Sequence, residues 1–195
     1  MQAPPPSEYK EPKRKMSSTT LILIILGVIV GGGCVMVAIF AAILFPVFSQ
    51  ARQAAKETMS LSNMKQLSLG MQMYSAEADG CFPPASNWGT LVMPYTKNDR
   101  LFHDPTIGTP DKKPFGYAMN ATTSGVRIDA ILNPDNAVLL FTSNVRAMNA
   151  VGSESDLRKN SRGGFVIGFT DGSAKRIREG AYGTLDWQIR RVKAP

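Results

Sequence analysis

The sequence contains little cysteine and histidine, with two cysteines and one histidine among 195 residues. Cys34 lies inside a long apolar run, whereas Cys81 lies well past the end of that run. A disulfide between them would require the rest of the chain to reach into the apolar run. A Cys/His metal site needs several such ligands at close spacing, and a single histidine does not supply them. These shortages exclude a disulfide framework and zinc-type chemistry.

Recognisable catalytic arrangements are also missing. His103 next to Asp104 would suit a base held by a carboxylate, but the sequence marks no nucleophile near the pair. Cys81 would need a base of its own to act as a nucleophile. A loop histidine and a partly buried thiol are the simpler interpretations. We therefore predict a protein that is not an enzyme, with no catalytic residues and no cofactor.

Charge of one sign is in modest excess. The formal net charge is +7, and beyond residue 49 there are 18 Lys and Arg against 13 Asp and Glu. So diffuse a surplus favours general contact with anionic surfaces, such as lipid headgroups or wall polymers, over nucleic-acid recognition. A solvated basic face is the simpler alternative. In the basic stretch 175–178, the alternating charges predict an edge strand with charged outward positions.

What the sequence does contain is one long apolar run. Residues 21–45 are 25 consecutive positions without a charge. As an α-helix this run would be about 37 Å long, enough to cross a hydrocarbon core about 30 Å thick with some tilt. We predict a transmembrane helix over residues 21–45, preceded by a basic tail over residues 1–20. The glycines at 31–33 would form either a flexible point or a packing notch.

The charges on either side of the run predict its orientation. Four basic residues lie between positions 10 and 15, whereas Arg52 and Lys56 follow the run more sparsely. The positive-inside tendency therefore predicts a cytoplasmic N-terminus and export of the residues after Phe48. A cleaved signal peptide is the alternative, because Ser-Gln-Ala at 49–51 resembles a cleavage site. The length of the run favours the intact anchor, since signal-peptide cores are usually about 7–15 residues long.

Residues 46–80 are predicted to continue the helix outside the membrane, with Pro46 as a kink where the helix emerges. Apolar residues recur there at steps of three and four, the spacing of one helix face. This helical stripe consists of Met64, Leu67, Met71, Tyr74 and Ala78. Asp79 and Gly80 then supply a helix stop. We expect the helical stripe to pack against the domain that follows.

The remaining residues 81–195, here called the head, carry the signals of short strands. A short helix is predicted near residues 90–95, strands over 115–119 and 137–142, and an exposed polar loop over 147–162. Residues 164–178 are the clearest β element, a hairpin that turns at Asp171 and Gly172. The predicted fold class is α+β: a long N-terminal helix, transmembrane and then amphipathic, packed on a small antiparallel β-sheet.

Several segments of this chain occur together, in the same order, in a known group of proteins. They are AAILFPVF at 41–48, SNMKQL at 62–67, Tyr74, Phe-Pro at 82–83, Phe-Gly-Tyr at 115–117, Asn-Pro at 133–134, and Asp171 with Gly172. The chain resembles bacterial type IV pilin-like and type II secretion pseudopilin-like proteins with a prepilin-type N-terminal helix. It is most similar to the planctomycete-type families with a His-x9-Asp-Gly motif. The resemblance covers residues 38–178 and is densest up to residue 84.

Three features of that group are absent. Its members normally have a short leader ending in Gly before a Phe, and a glutamate a few residues into the apolar run. Aligned on the 41–48 block, Ile24 and Ile25 stand at the cleavage point and Ile29 stands at the glutamate. Ser161 stands where many relatives have a histidine, ten residues before Asp171. The resemblance therefore implies the fold, while the missing signals count against leader cleavage and filament assembly.

The resemblance implies a structural or assembly component of a pilus or type II secretion-like system in the bacterial inner membrane. Its partners would be the membrane and other pilin-like subunits or secretion components. Some pilin-like proteins contact DNA, and the basic stretches 175–178 and 190–193 offer that alternative here, but the alternating charges of 175–178 favour an edge strand over nucleic-acid binding. The alternative is a membrane-anchored extracytoplasmic module that binds an anionic wall or surface polymer and forms no filament. Some secretion pseudopilins bind calcium through C-terminal carboxylates. The candidate ligands here are Asp171, Asp156 and Glu154, although calcium needs six to eight oxygens and no Asp-x-Asp run is present.

Overall fold

The computed structural model describes residues 17–108, 114–161 and 163–190. By its contacts the chain divides into two units, residues 1–49 and residues 50–195, and each is described by itself. Residues 1–16 of the predicted basic tail lie outside the described part of the chain, as do residues 191–195 of the head. A long N-terminal helix and a five-stranded sheet confirm the predicted α+β class.

The first helix, α1, extends over Ser18–Glu77 without interruption. In its first part every residue from 18 to 49 is exposed, and the most apolar stretch has a mean hydropathy of 2.9. This part of α1 is long and apolar enough to cross a membrane. Pro46 lies inside the helix, and the Ser49 hydroxyl donates to the Pro46 carbonyl oxygen at 2.8 Å. The predicted kink at Pro46 stays a prediction.

The unit formed by residues 50–195 contains the sheet, whose strand order is β3-β1-β2-β4-β5. Its strands are β1 (Tyr117–Asn120), β2 (Val138–Thr142), β3 (Val151–Gly152), β4 (Gly164–Phe169) and β5 (Ala174–Arg178). All neighbours are antiparallel except β1 and β3, which are parallel, with Met119 opposite Val151. The sheet is therefore mixed rather than antiparallel throughout, because the chain returns after β2 to the far side of β1.

Of two local predictions in the head, the structure agrees with one and corrects the other. The short helix predicted near residues 90–95 is α2, which spans Trp88–Thr96. The polar loop predicted over residues 147–162 instead contains β3 and a one-turn 3-10 helix at Glu154–Asp156. The Ser153 backbone N–H donates to Asp156 Oδ2 at 3.0 Å and caps that turn. A two-residue strand is too short to leave an alternating pattern, so the sequence did not reveal it.

The connection between β4 and β5 is the hairpin predicted at Asp171 and Gly172. The Gly172 backbone N–H donates to the Phe169 carbonyl at 3.0 Å, and Gly172 has φ +83°, which glycine adopts without steric cost. Asp171 Oδ1 accepts from the Ser173 backbone N–H at 2.8 Å. The three-residue loop 170–172 thus has the form of a β-turn followed by a left-handed residue.

The core of this unit lies on both faces of the sheet. One face packs against residues 57–75 of α1 and against α2. The helix approaches β4 so closely at Gly168 that a Cβ there would overlap the Ser68 hydroxyl oxygen. The other face is covered by the C-terminal segment, where Trp187 meets Phe141 edge-on with ring centroids 5.2 Å apart. The helix, the sheet and the C-terminal segment therefore form three layers.

Candidate functional site

The helical stripe is where α1 meets the core. Met64, Leu67 and Met71 are fully buried in the main hydrophobic cluster. Tyr74 is half-buried, packs against that cluster, and meets Tyr95 edge-on with ring centroids 6.0 Å apart. Ala78 is half-buried, follows the last helical residue, and is not part of the cluster. The structure thus brings the first four residues of the stripe to one packing surface.

The same helix face continues toward the N-terminus with polar residues that the apolar pattern does not include. Ser60 and Glu57 lie at steps of four and three before Met64, so the periodicity extends to them, and both are fully buried. Ser68 and Ser75 are also buried in α1. The helical spacing of Ser60 and Glu57 is the signal that could have identified them, but their polarity concealed it because buried helix faces are usually apolar.

Glu57 holds two distant segments against α1. The Ser161 hydroxyl donates to Glu57 Oε1 at 3.1 Å, and the Arg176 guanidinium on β5 lies 3.3 Å from Glu57 Oε2. Gln53 in turn donates to the Ser161 hydroxyl oxygen at 2.5 Å. Ser161 is the position at which the resembled families have a histidine. In this chain that position therefore provides a hydrogen-bonded contact between the 161 loop and the buried Glu57 of the helix.

A second buried carboxylate, Asp104, anchors the loop that follows residue 103. Its Oδ2 pairs with the Arg158 guanidinium, and its Oδ1 accepts from the Thr106 backbone N–H at 2.9 Å and from the Thr106 hydroxyl at 2.8 Å. The Asp104 carboxylate is therefore fully engaged. His103 stacks on the Phe115 ring with centroids 4.6 Å apart. Its buried Nδ1 has no hydrogen-bond partner among the described residues, so Asp104 does not orient the imidazole through that nitrogen.

Tyr117 joins the sheet to α1 close to Asp104. Its hydroxyl lies 3.1 Å from the Ser60 hydroxyl, and both groups are buried. Burial raises the pKa of Tyr117 well above its usual value, and the negative charge of Asp104 adds to that rise. The phenol is thus held neutral, as a hydrogen-bonding group of the core.

A cleft of about 440 Å³ opens beside these buried groups. It lies between α1, the 3-10 turn Asp99–Phe102 and the loop that Asp104 anchors. Within the described residues its lining includes Lys56, Met59, Asn98, Arg100, Leu101, His103, Asp104 and Ile107. Charged, polar and apolar side chains thus line one concave surface of the described residues.

The carboxylates considered for calcium have other roles. Asp171 and Asp156 each accept a hydrogen bond from a backbone N–H that closes a local turn, and Glu154 begins the 3-10 helix after Ser153. Among residues 17–108, 114–161 and 163–190 there is no group of three or more His, Cys, Asp or Glu side chains placed to hold a metal ion. Asp171, Asp156 and Glu154 therefore do not assemble into a calcium site.

The basic stretch 175–178 is β5, which lies at one edge of the sheet as predicted. Lys175 stands over the Phe169 ring at 4.9 Å and Arg176 turns to Glu57, while the Arg178 side chain is exposed. Cys34 and Cys81 are both free thiols, exposed and half-buried respectively.

Residues 50–190 define an α+β domain whose buried polar groups hold elements to one another, with a cleft beside them. Comparison with family models, with curated proteins and with solved structures returned no match. The function is therefore inferred from this chain's own residues and from the resemblance stated for its helix.

Proposed function

We propose that this protein is a non-enzymatic, membrane-anchored, pseudopilin-like subunit that acts by assembly in a pilus or type II secretion-like system. The observation that carries the proposal is α1. Its first part is apolar around its whole circumference, and its last part buries one face in the core of the head. A helix that is apolar all round needs lipid or other helices about it, whereas a one-sided stripe needs a domain to pack on.

Anchoring and orientation follow from the flanks of residues 21–45. Basic residues before this segment favour a cytoplasmic N-terminus, which places the head outside the bacterial inner membrane. Ile24, Ile25 and Ile29 replace the leader junction and the glutamate of the resembled proteins, so the segment stays uncleaved in this proposal. The protein is then a resident membrane subunit rather than the main subunit of a filament.

Assembly would use the membrane segment as a packing surface. Without a hydrophobic drive between helices in lipid, small residues promote association by letting backbones approach closely. Gly31, Gly32 and Gly33 are consecutive residues without side chains, and successive helical positions point in directions about 100° apart. A partner helix can therefore approach closely from several sides at this level.

The test is co-purification of the full chain from native membranes in a mild detergent, with bound proteins identified by mass spectrometry. We expect pilin-like or secretion subunits to co-purify. Replacing the three glycines 31–33 by leucine should reduce their yield while the protein stays in the membrane. The matched control replaces Val28, Val30 and Val35 by leucine and should leave the yield unchanged. Absence of such subunits from the preparations of both the original chain and the valine control would contradict the proposal.

A second candidate function is an anchored module that holds an anionic wall or surface polymer without forming a filament. The observation in its favour is the basic character of β5, where Lys175 and Arg178 are exposed at the sheet edge. The missing processing signals also agree with a module that never leaves the membrane. The same purification separates the two: this candidate requires wall material in the eluate, released by salt, and no pilin-like subunit.

A further inference from the structure

The cleft beside Asp104 combines uncompensated positive charge with an apolar lining. Lys56 from α1 and Arg100 from the 3-10 turn both line it. Within the described part of the chain, neither of these cations forms an ion pair. Asp104 is the one carboxylate among the described lining residues, and it is engaged by Arg158 and Thr106. The field inside the cleft therefore favours an anion.

The rest of the lining is mainly aliphatic. Met59, Leu101 and Ile107 present side-chain carbon to the cleft. Met59 keeps 56% of its surface exposed although it belongs to the helix that forms the core. A polyanion without apolar groups would leave this lining uncovered, and a neutral apolar ligand would leave Lys56 and Arg100 without a partner. A matching ligand has a carboxylate and an aliphatic group side by side.

A polar group suited to a peptide backbone lies on the same lining. Asn98 accepts from the Arg100 backbone N–H through its Oδ1 at 3.1 Å. Its amide N–H groups are left without a partner among the described residues and can donate to a carbonyl oxygen. A lipid chain carries no such carbonyl along its length, whereas a peptide carries one at every residue.

We propose that this cleft binds a segment of another protein in which a Glu or Asp lies beside an aliphatic side chain. Lys56 and Arg100 pair with the carboxylate, and the aliphatic side chain covers Met59, Leu101 and Ile107. The inference rests on the cleft alone and does not depend on the proposed membrane assembly. A protein that fails to co-purify with pilin-like subunits would still bind such a peptide.

The experiment is an NMR titration of the full chain in phosphatidylcholine nanodiscs, with ¹³C-labelled methionine and isoleucine methyl groups. The probe is acetyl-Leu-Glu-Leu-amide, and its control is acetyl-Leu-Gln-Leu-amide. Met59 and Ile107 report on the cleft. Met73, which is 53% exposed on the same helix and outside the cleft, reports on non-specific binding. Saturable shifts are expected at Met59 and Ile107 and not at Met73.

The charge dependence provides the second readout. The Gln peptide should bind about five- to tenfold more weakly, the size expected for loss of a charge-assisted contact of roughly 1 to 1.4 kcal/mol. The double variant Lys56→Gln, Arg100→Gln should bind the Glu peptide as weakly as the original chain binds the Gln peptide. The matched control Lys65→Gln removes an exposed lysine of the same helix and should bind normally.

Three results would overturn the proposal. One is the absence of saturable shifts at Met59 and Ile107, and another is equal binding of the Glu and Gln peptides. The third is saturable binding of decanoate at these methyls without binding of the peptide, which would make the cleft a site for a lipid-like carboxylate. Thermal unfolding of the double variant serves as the folding control, since both side chains lie at the cleft rather than in the core.

Discussion

Among the described residues of the unit formed by residues 50–195, the ionisable side chains of Glu57, Asp104 and Tyr117 are almost entirely removed from water. Each is bonded to a segment distant in sequence, so each one fixes the relative position of two elements. A buried charge without its partner is costly, because water no longer compensates it. At the residue scale these contacts fix the positions of the loops against the helix and the sheet.

Replacing Arg158 by methionine should destabilise the head strongly, because it leaves the buried Asp104 carboxylate without its counter-charge. Breaking a buried pair in this way typically costs about 3–5 kcal/mol. Urea unfolding of the full chain in detergent, followed by tryptophan fluorescence, measures this loss, since both tryptophans are buried in the head. The control Arg127→Met breaks the exposed pair with Asp129 and should cause a far smaller change. Equal losses in the two variants would contradict this role for Asp104.

Replacing Tyr117 by phenylalanine should change how stability depends on pH. Burial raises the folded-state pKa of Tyr117 above the usual 10.0. The contribution of the phenol to the unfolding free energy is therefore complete below about pH 10 and is lost as the pH rises further. At neutral pH the variant should be less stable by about 0.5–1.5 kcal/mol, because the buried Ser60 hydroxyl loses its partner.

Above pH 10 the difference in unfolding free energy between the two proteins should narrow. Only the original chain must keep the phenol at position 117 protonated when it folds. Unfolding free energies of both proteins between about pH 8 and pH 11 provide the measurement, with the other titrating groups common to both. A difference that stays constant up to the highest pH would show that Tyr117 is not held neutral by burial.

At the scale of elements, α1 has two different faces within residues 50–77. Met71 is fully buried, whereas Met73, two positions later, is 53% exposed. Met71→Ala should lower the unfolding free energy of the head by about 2–5 kcal/mol, the usual cost of a cavity at a buried methionine. Met73→Ala is the matched control and should have little effect. A Met71 variant that kept the original urea midpoint would refute the packing role of the helical stripe.

The elements that the sequence predicted correctly have local signals. The helical stripe recurs at steps of three and four, and Asp171 followed by Gly172 lies between extended runs. Both signals can be recognised from neighbouring residues alone. The parallel pairing of β1 with β3 could not be predicted, because Val151 and Gly152 carry no periodicity. Nor could the contact of Arg158 with Asp104, since the choice of partner over 54 positions depends on the assembled fold. The cleft is missed for the same reason, because its lining comes from separate elements.

At the scale of the whole molecule, the proposed division of labour has three parts. The apolar part of α1 anchors, the continuation of α1 carries the helical stripe and one wall of the cleft, and the head completes the cleft and carries the basic edge strand. The charged groups proposed to recognise a partner lie within residues 50–190, whereas the apolar segment offers shape alone. Membrane attachment and partner binding are thus separable, and loss of one should leave the other measurable.

The central claim is that residues 21–45 remain in the mature protein as a membrane anchor. The most direct measurement extracts native membranes with alkaline carbonate, digests the resistant fraction with trypsin and searches for the peptide covering residues 16–52. Because no Lys or Arg lies between Lys15 and Arg52, this one peptide contains the entire segment. The account predicts the intact peptide in the carbonate-resistant fraction. A peptide that begins inside the apolar run, or a chain that begins near Arg52 in the soluble fraction, would contradict it.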